Sequence, residues 1–91
     1  MQDDFCDVAV IGLGPIGASE IAYLSAVGHQ CIGVEVSDLA IRNAKDVNFL
    51  KDRTDLDIDT IENVSASIQV VKSISDLPEQ VKTCIVCVPT E

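Results

Sequence analysis

Four short apolar runs recur along the chain, at residues 7–11, 30–36, 67–71 and 83–88. Each run is rich in β-branched residues and too short for a core helix, a pattern that predicts buried strands. The first run stops at Gly12 and the last at Pro89, residue types that commonly end regular structure. We therefore expect four strands, each separated from the next by a longer segment.

The longer segments between these runs have helical patterns. Residues 15–26 predict a helix that Gly28 ends in a left-handed conformation. Its expected apolar stripe consists of Ile16, Ile21, Ala22 and Leu24. Ser37 or Asp38 is expected to cap a second helix that extends to Val47. The acidic segment 49–63 fits either a loop or a short helix over 57–64.

A third helix is expected to begin at Ser75, with Pro78 in its first turn. Strands and helices then alternate, which is typical of an α/β fold. Because crossovers between parallel strands are right-handed, we expect a Rossmann-like parallel sheet in the order 3-2-1-4, with helices on both faces. The fourth strand would leave an uncovered apolar edge, which offers a surface for a homo-oligomer.

The composition fits one domain over residues 1–91. No apolar stretch is long enough to cross a membrane, and the acidic start lacks the features of a signal peptide, so we expect a cytoplasmic protein. The net charge is −9 and only six residues are basic, which argues against binding to nucleic acid or anionic membranes. A nucleotide is not excluded, because backbone N–H groups alone can hold a pyrophosphate.

The strongest chemical signal is Gly12-Leu13-Gly14-Pro15-Ile16-Gly17, which has the G-x-G-x-x-G spacing of a dinucleotide-binding turn. Gly12 allows the tight turn, Gly14 lets a pyrophosphate approach the backbone, and Gly17 lets the helix pack closely on the sheet. The motif directly follows a predicted strand and opens a predicted helix, which is the context that such a site needs. The alternative is that the glycines serve only the turn.

Glu35 ends the second predicted strand about 20 residues after the glycines, where an acidic residue can accept hydrogen bonds from the adenosine ribose. A carboxylate there repels the 2′-phosphate of NADP. Val36, Ser37 and Asp38 follow, so no cation is adjacent in sequence, and Arg42 lies a turn further on. We therefore predict NAD as the cofactor, with Val36 beside Glu35 in the site.

Cys84 and Cys87 have the C-x-x-C spacing of metal and redox sites. Zinc would need two further ligands, and a redox pair normally opens a helix rather than lying in a strand. We expect Cys6, Cys31 and this pair to be reduced thiols, and His29 to be a solvated turn residue. No pattern predicts a catalytic group or a metal ligand.

Three passages carry a family resemblance: residues 10–17, residues 24–37, and 85–90 with the sequence Ile-Val-Cys-Val-Pro-Thr. They resemble the NAD-binding domain of the UDP-glucose and GDP-mannose dehydrogenase family, whose members oxidise the C6 alcohol of a nucleotide sugar to a carboxylate. The third passage resembles the family's strand ending in Val-Pro-Thr, whose loop borders the cofactor. The resemblance therefore implies NAD as cofactor, with Val88, Pro89 and Thr90 among the residues that contact it.

The chain also departs from this family. Pro15 stands where an aromatic residue is usual, Ala40 stands where a lysine is common, and segment 49–63 has no counterpart of the family's Tyr-Glu-Pro-Gly-Leu type sequence. The family's catalytic cysteine and sugar-binding regions have no match here, so the resemblance transfers no catalytic residue. It implies a fragment of a longer dehydrogenase, in which a nucleotide-sugar substrate binds through other regions.

Two other functions stay open from the sequence. A stand-alone module could bind or sense NAD without catalysis. A fragment of a flavin enzyme would share the glycine spacing, and FAD proteins often have proline and glutamate at the Pro15 and Glu35 positions. The alternation after Glu35 and the 88–90 ending favour the dehydrogenase.

Overall fold

Four strands and four α-helices form in residues 7–87, the part of the chain that this computed structural model describes. The strands are β1 (Val8–Ile11), β2 (Cys31–Val34), β3 (Gln69–Val71) and β4 (Thr83–Val86). The α-helices are α1 (Pro15–Ala26), α2 (Asp38–Ala44), α3 (Val47–Arg53) and α4 (Ile58–Ser67), and a 3-10 helix lies at Ile74–Asp76. None of these helices has the length and apolar character needed to cross a membrane.

The strands form one parallel sheet in the order β3-β2-β1-β4, which confirms the predicted order. In its register, Ile11 lies between Val34 of β2 and Val86 of β4. The carboxyl ends of these three strands therefore coincide, and the residues that follow them meet at one edge of the sheet. β4 is an edge strand of the described sheet, and its pairing with a second chain stays a prediction.

The larger core lies between one face of the sheet and the α-helices. Val8 and Val10 of β1 point into it, because alternate residues of a strand face the same side. Four large side chains in this core are fully buried: Leu13, Ile21, Leu50 and Ile61. α1 therefore packs between the sheet and the later helices, and its first turn is held at the carboxyl end of β1.

The apolar stripe predicted for α1 was wrong at one position. The side chain of Ile16 is 74% exposed, whereas Gly17, Ala18, Ile21 and Ala22 form the buried face. These four lie at i, i+1, i+4 and i+5, which defines one face of the helix. Ile16 precedes the first of them by one position, which turns its side chain to the opposite side.

The opposite face of the sheet carries a smaller core around Ala9 and Ile32, covered by Leu77 and Val81 from the connection between β3 and β4. The predicted helix that begins at Ser75 and has Pro78 in its first turn does not form, so this prediction was wrong. The 3-10 helix ends at Asp76, before Leu77, which is extended with φ −69° and ψ 142°. The residue that precedes a proline is driven out of the helical region, so the helix cannot include Pro78.

The segment between β2 and β3 folds into three helices. The predicted second helix does not run unbroken to Val47, because its helical turns stop at Ala44. Asp46 then caps α3, and its Oδ1 accepts hydrogen bonds from the N–H groups of Asn48 and Phe49 at 2.8 and 3.2 Å. An aspartate that bonds backbone N–H groups in this way begins a new helix. Of the two alternatives for 57–64, the helix is correct.

Tyr23 joins α1 to the loop between α3 and α4. Its hydroxyl donates to Oδ1 of Asp55 at 2.7 Å and accepts from the backbone N–H of Asp55 at 3.0 Å. The hydrogen bond to the Asp55 carboxylate raises the pKa of Tyr23 above its ordinary value of 10.0. A raised pKa means that this contact stabilises the fold below about pH 10 and is lost as the pH rises through the folded-state pKa.

We expect Asp55→Asn to lower the pKa of Tyr23, because the neutral amide no longer opposes ionisation of the phenol. Tyr23 is the one tyrosine of a chain without tryptophan, so tyrosinate absorbance during an alkaline titration measures this group directly. Asp52→Asn, which removes a carboxylate from the exposed side of α3, is the matched control. An identical midpoint for Asp55→Asn and the parent chain would contradict the assignment.

Candidate functional site

A cleft of about 380 Å³ opens at the carboxyl ends of β1 and β2. The residues that line it are Ile11, Gly12, Gly14, Val34, Glu35, Val36 and Ala40. Gly12, Gly14, Glu35 and Val36 are among the site residues that the sequence predicted. The other three were missed, although Ile11 and Val34 could have been found as the last residues of adjacent parallel strands.

Gly12 turns the chain sharply off β1. Its φ of 93° lies in the left-handed region that favours glycine. Its N–H donates to the carbonyl oxygen of Val34 at 2.8 Å, which extends the β1–β2 pairing by one residue before the turn. The turn is therefore hydrogen-bonded to the last residue of β2, and Glu35 directly follows that residue.

Gly14 and Gly17 serve different purposes. A Cβ added at Gly14 would meet no atom within 4 Å, so the missing side chain leaves open space above the turn. A Cβ at Gly17 would overlap the carbonyl oxygen of Gly12 and lie 3.4 Å from Cβ of Cys87. Gly17 is therefore required for packing of α1 on the sheet, whereas Gly14 keeps the cleft accessible.

The glycine turn also opens α1 without a side-chain cap. Gly14 is the N-cap residue and has no side chain to accept hydrogen bonds from the first turn. Pro15 follows at the first helical position, where the missing N–H costs little. The remaining first-turn N–H groups and the positive end of the helix dipole therefore suit an anion at this end of α1. Pro15 and Ile16 are exposed beside it.

Glu35 braces the glycine turn through its carboxylate. Oε1 accepts from the N–H of Leu13 at 2.7 Å, and Oε2 accepts from the N–H of Ser37 at 3.0 Å. The carboxylate is half-buried, and each of its oxygens keeps further capacity to accept. Leu13 itself points into the core, fully buried against Gly33, so its side chain lies away from the cleft.

Cys87 follows β4 and lies next to Gly17. Its N–H donates to the carbonyl oxygen of Ile11 at 2.8 Å. Burial, with a smaller contribution from the negative charge of Glu20, raises the pKa of the Cys87 thiol above its ordinary value of 9.0. This thiol is therefore protonated at neutral pH. Cys84 is exposed on the edge strand, so the C-x-x-C pair does not converge on one point.

The predicted residues Val88, Pro89 and Thr90 lie outside the described residues, so their placement stays a prediction. Within residues 7–87 no three histidine, cysteine or acidic side chains gather as they would around a metal ion.

The fold adds one cation that the sequence pattern did not reveal. The Lys72 ammonium lies 2.7 Å from Oδ1 of Asp38, at the carboxyl ends of β3 and β2. The two residues are 34 positions apart in sequence, so only the strand order brings them together. The sequence neighbours of Glu35 contain no cation, as expected. That expectation did not consider Lys72, which follows the strand next to β2 in the sheet.

No protein-family model matches the chain, whereas comparison with individual proteins finds similarity to a curated enzyme and to solved structures. The chain is 30% identical over 83 residues to UDP-N-acetyl-D-mannosamine dehydrogenase of Methanocaldococcus jannaschii, covering 91% of this chain and 19% of that enzyme. It also resembles the crystal structure of 3-hydroxybutyryl-CoA dehydrogenase from Escherichia coli K12, with a TM-score of 0.55 and 29% identity. That match covers 78% of this chain and 16% of the enzyme.

These two proteins are dehydrogenases, and the chain spans less than a fifth of the length of each. The similarity to a nucleotide-sugar dehydrogenase confirms the resemblance drawn from the three sequence passages. The structural match and the 3-2-1-4 sheet together establish the Rossmann-type fold of a dehydrogenase cofactor domain.

Proposed function

We propose that this Rossmann-type dehydrogenase domain binds NAD at the glycine turn, as the cofactor domain of a nucleotide-sugar 6-dehydrogenase. The observation that carries the proposal is the cleft between Gly14 and Glu35. It combines an accessible glycine backbone with a fixed carboxylate at the distance in sequence that a dinucleotide site requires.

The residues present fit a dinucleotide. The open space at Gly14 and the uncapped first turn of α1 would hold the pyrophosphate. The free acceptor capacity of Glu35 would bind the adenosine ribose hydroxyls, and Val36 and Ala40 offer an apolar wall for the adenine. The nicotinamide, when bound, supplies the hydride acceptor for oxidation of an alcohol.

NAD is favoured over NADP by the charge of Glu35. A 2′-phosphate on the ribose would approach this carboxylate, and the Coulomb repulsion between them is strong in a half-buried site. The two backbone N–H groups that hold Oε1 and Oε2 limit the freedom of the side chain to turn away.

The proposed substrate is a nucleotide sugar, whose C6 alcohol would be oxidised to a carboxylate. Support comes from the similarity to UDP-N-acetyl-D-mannosamine dehydrogenase, which covers nearly the whole chain. We propose that the chemistry on the sugar belongs to other parts of the protein, because Glu35 is the one titratable side chain among the described residues that line the cleft and offers no acid–base pair by itself.

Calorimetric titration of the 91-residue chain with NAD, NADP and FAD tests the proposal. Saturable binding of NAD, with weaker binding of NADP and none of FAD, is the expected result. Binding of FAD instead would favour a flavin enzyme. A folded chain that binds none of the three would contradict the assignment of the cleft.

Glu35→Ala is expected to weaken NAD binding about 10- to 100-fold, because charge-assisted hydrogen bonds to the ribose are lost. Discrimination against NADP should relax, since the repelling charge is gone. Glu62→Ala is the matched control, because it removes an exposed carboxylate from α4, away from the cleft. Unchanged affinities of Glu35→Ala for both dinucleotides would rule out this role.

A further inference from the structure

Asp38 and Lys72 form an ion pair close to Glu35, one of the residues that line the cleft. Asp38 is the first residue of α2 and lies three positions after Glu35. Lys72 directly follows β3, whose Val71 carbonyl accepts a hydrogen bond from the N–H of Glu35 at 3.0 Å. Glu35, Asp38 and Lys72 are therefore neighbours through one strand pairing and one ion pair of 2.7 Å.

This ion pair contributes little to the fold. The side chains of Lys72 and Asp38 are 60% and 78% exposed, and pairs in such exposed positions are strongly screened by water. The hydrogen bond and charge of Lys72, with a smaller effect from Arg42, hold the pKa of Asp38 below its ordinary value. Asp38 is therefore charged at neutral pH, and Lys72 is engaged by a partner that the protein could lose without unfolding.

We propose that Asp38 is a second determinant of dinucleotide choice, acting by engaging the Lys72 ammonium that would otherwise receive the 2′-phosphate of NADP. This inference rests on the proposed function, which brings the adenosine ribose to Glu35. A cation near that ribose is what accommodates a 2′-phosphate, and lysine binds phosphate as a compact point charge. Lys72 is such a cation on the adjacent strand end, and Asp38 holds it in a neutral pair.

Asp38→Ala removes the charge and the acceptor together, so that Lys72 is freed. We expect the ratio of the NADP to the NAD dissociation constant to fall about five- to tenfold in low-salt calorimetry, with NAD affinity little changed. The gain should shrink as salt screens the phosphate contact. Asp59→Ala, which removes a first-turn carboxylate from α4, controls for the loss of a helix-starting acid.

The double variant Asp38→Ala/Lys72→Gln separates the two charges. If Lys72 receives the phosphate, the double variant returns to the parent ratio. A gain that survives in the double variant would overturn the proposal, because Asp38 would then act directly. An unchanged ratio in Asp38→Ala, with NAD still bound, would overturn it while leaving the proposed function in place. Failure of the parent chain to bind NAD would overturn both.

Discussion

Replacing Gly14 by valine is expected to weaken NAD binding about 100-fold or more while the chain stays folded. The backbone at this position has φ −64° and ψ −169°, which is extended and open to any residue. An added Cβ meets no atom within 4 Å, so a side chain at this position has no steric clash within the protein. The space that the side chain would fill is the mouth of the cleft, where the pyrophosphate would lie against the backbone.

Calorimetric titration with NAD measures the loss of affinity, and urea denaturation of the same variant measures whether the chain stays folded. Valine is a poorer N-cap residue than glycine, so a loss of about 1 kcal/mol in the free energy of unfolding is expected from α1 alone. Gly28→Val is not a usable control, because the φ of Gly28 is 105°. Gly14→Ala is a usable control, because it adds a single methyl group and should give an intermediate affinity for NAD. Parent-like NAD binding by Gly14→Val would show that the pyrophosphate does not approach here.

The glycine turn and Glu35 could be predicted because the requirements at these positions are local. A tight turn, a close helix and a carboxylate at the next strand end impose residue types at fixed spacings, which the chain displays directly. The strand order followed for a similar reason, because the right-handed crossover rule leaves few arrangements for four alternating strands.

Other features depend on contacts that sequence spacing does not contain. The Lys72–Asp38 pair requires that β3 lie beside β2, and it joins residues 34 positions apart. The break before α3 required Asp46 to favour capping over helix continuation, a competition that the apolar pattern does not show. The hydrogen bond from Leu13 to Glu35 was also missed, because its donor is a backbone N–H. Nearly every residue type has this group, so the identity of the residue does not predict the bond.

Gly17→Ala is expected to destabilise the fold by about 3 kcal/mol, the larger of the two effects on stability. The new Cβ would overlap the Gly12 carbonyl oxygen, and its next neighbour is the Gly12 carbonyl carbon at 2.9 Å. Both are backbone atoms of a turn that is fixed by hydrogen bonds, so a side-chain rotation cannot relieve the contact. α1 must instead move away from the sheet, which loosens the fully buried Ile21.

The helical preference of alanine works against this loss and makes the test sharper. Gly17 lies within α1, where alanine is favoured over glycine by about 1 kcal/mol in the absence of other contacts. A net loss in urea denaturation therefore measures the clash after that gain has been overcome. Gly14→Ala is the matched control, with one methyl group added to the same turn in open space. Equal stability of the two variants would mean that α1 does not need this close approach, and the separate roles assigned to the two glycines would be wrong.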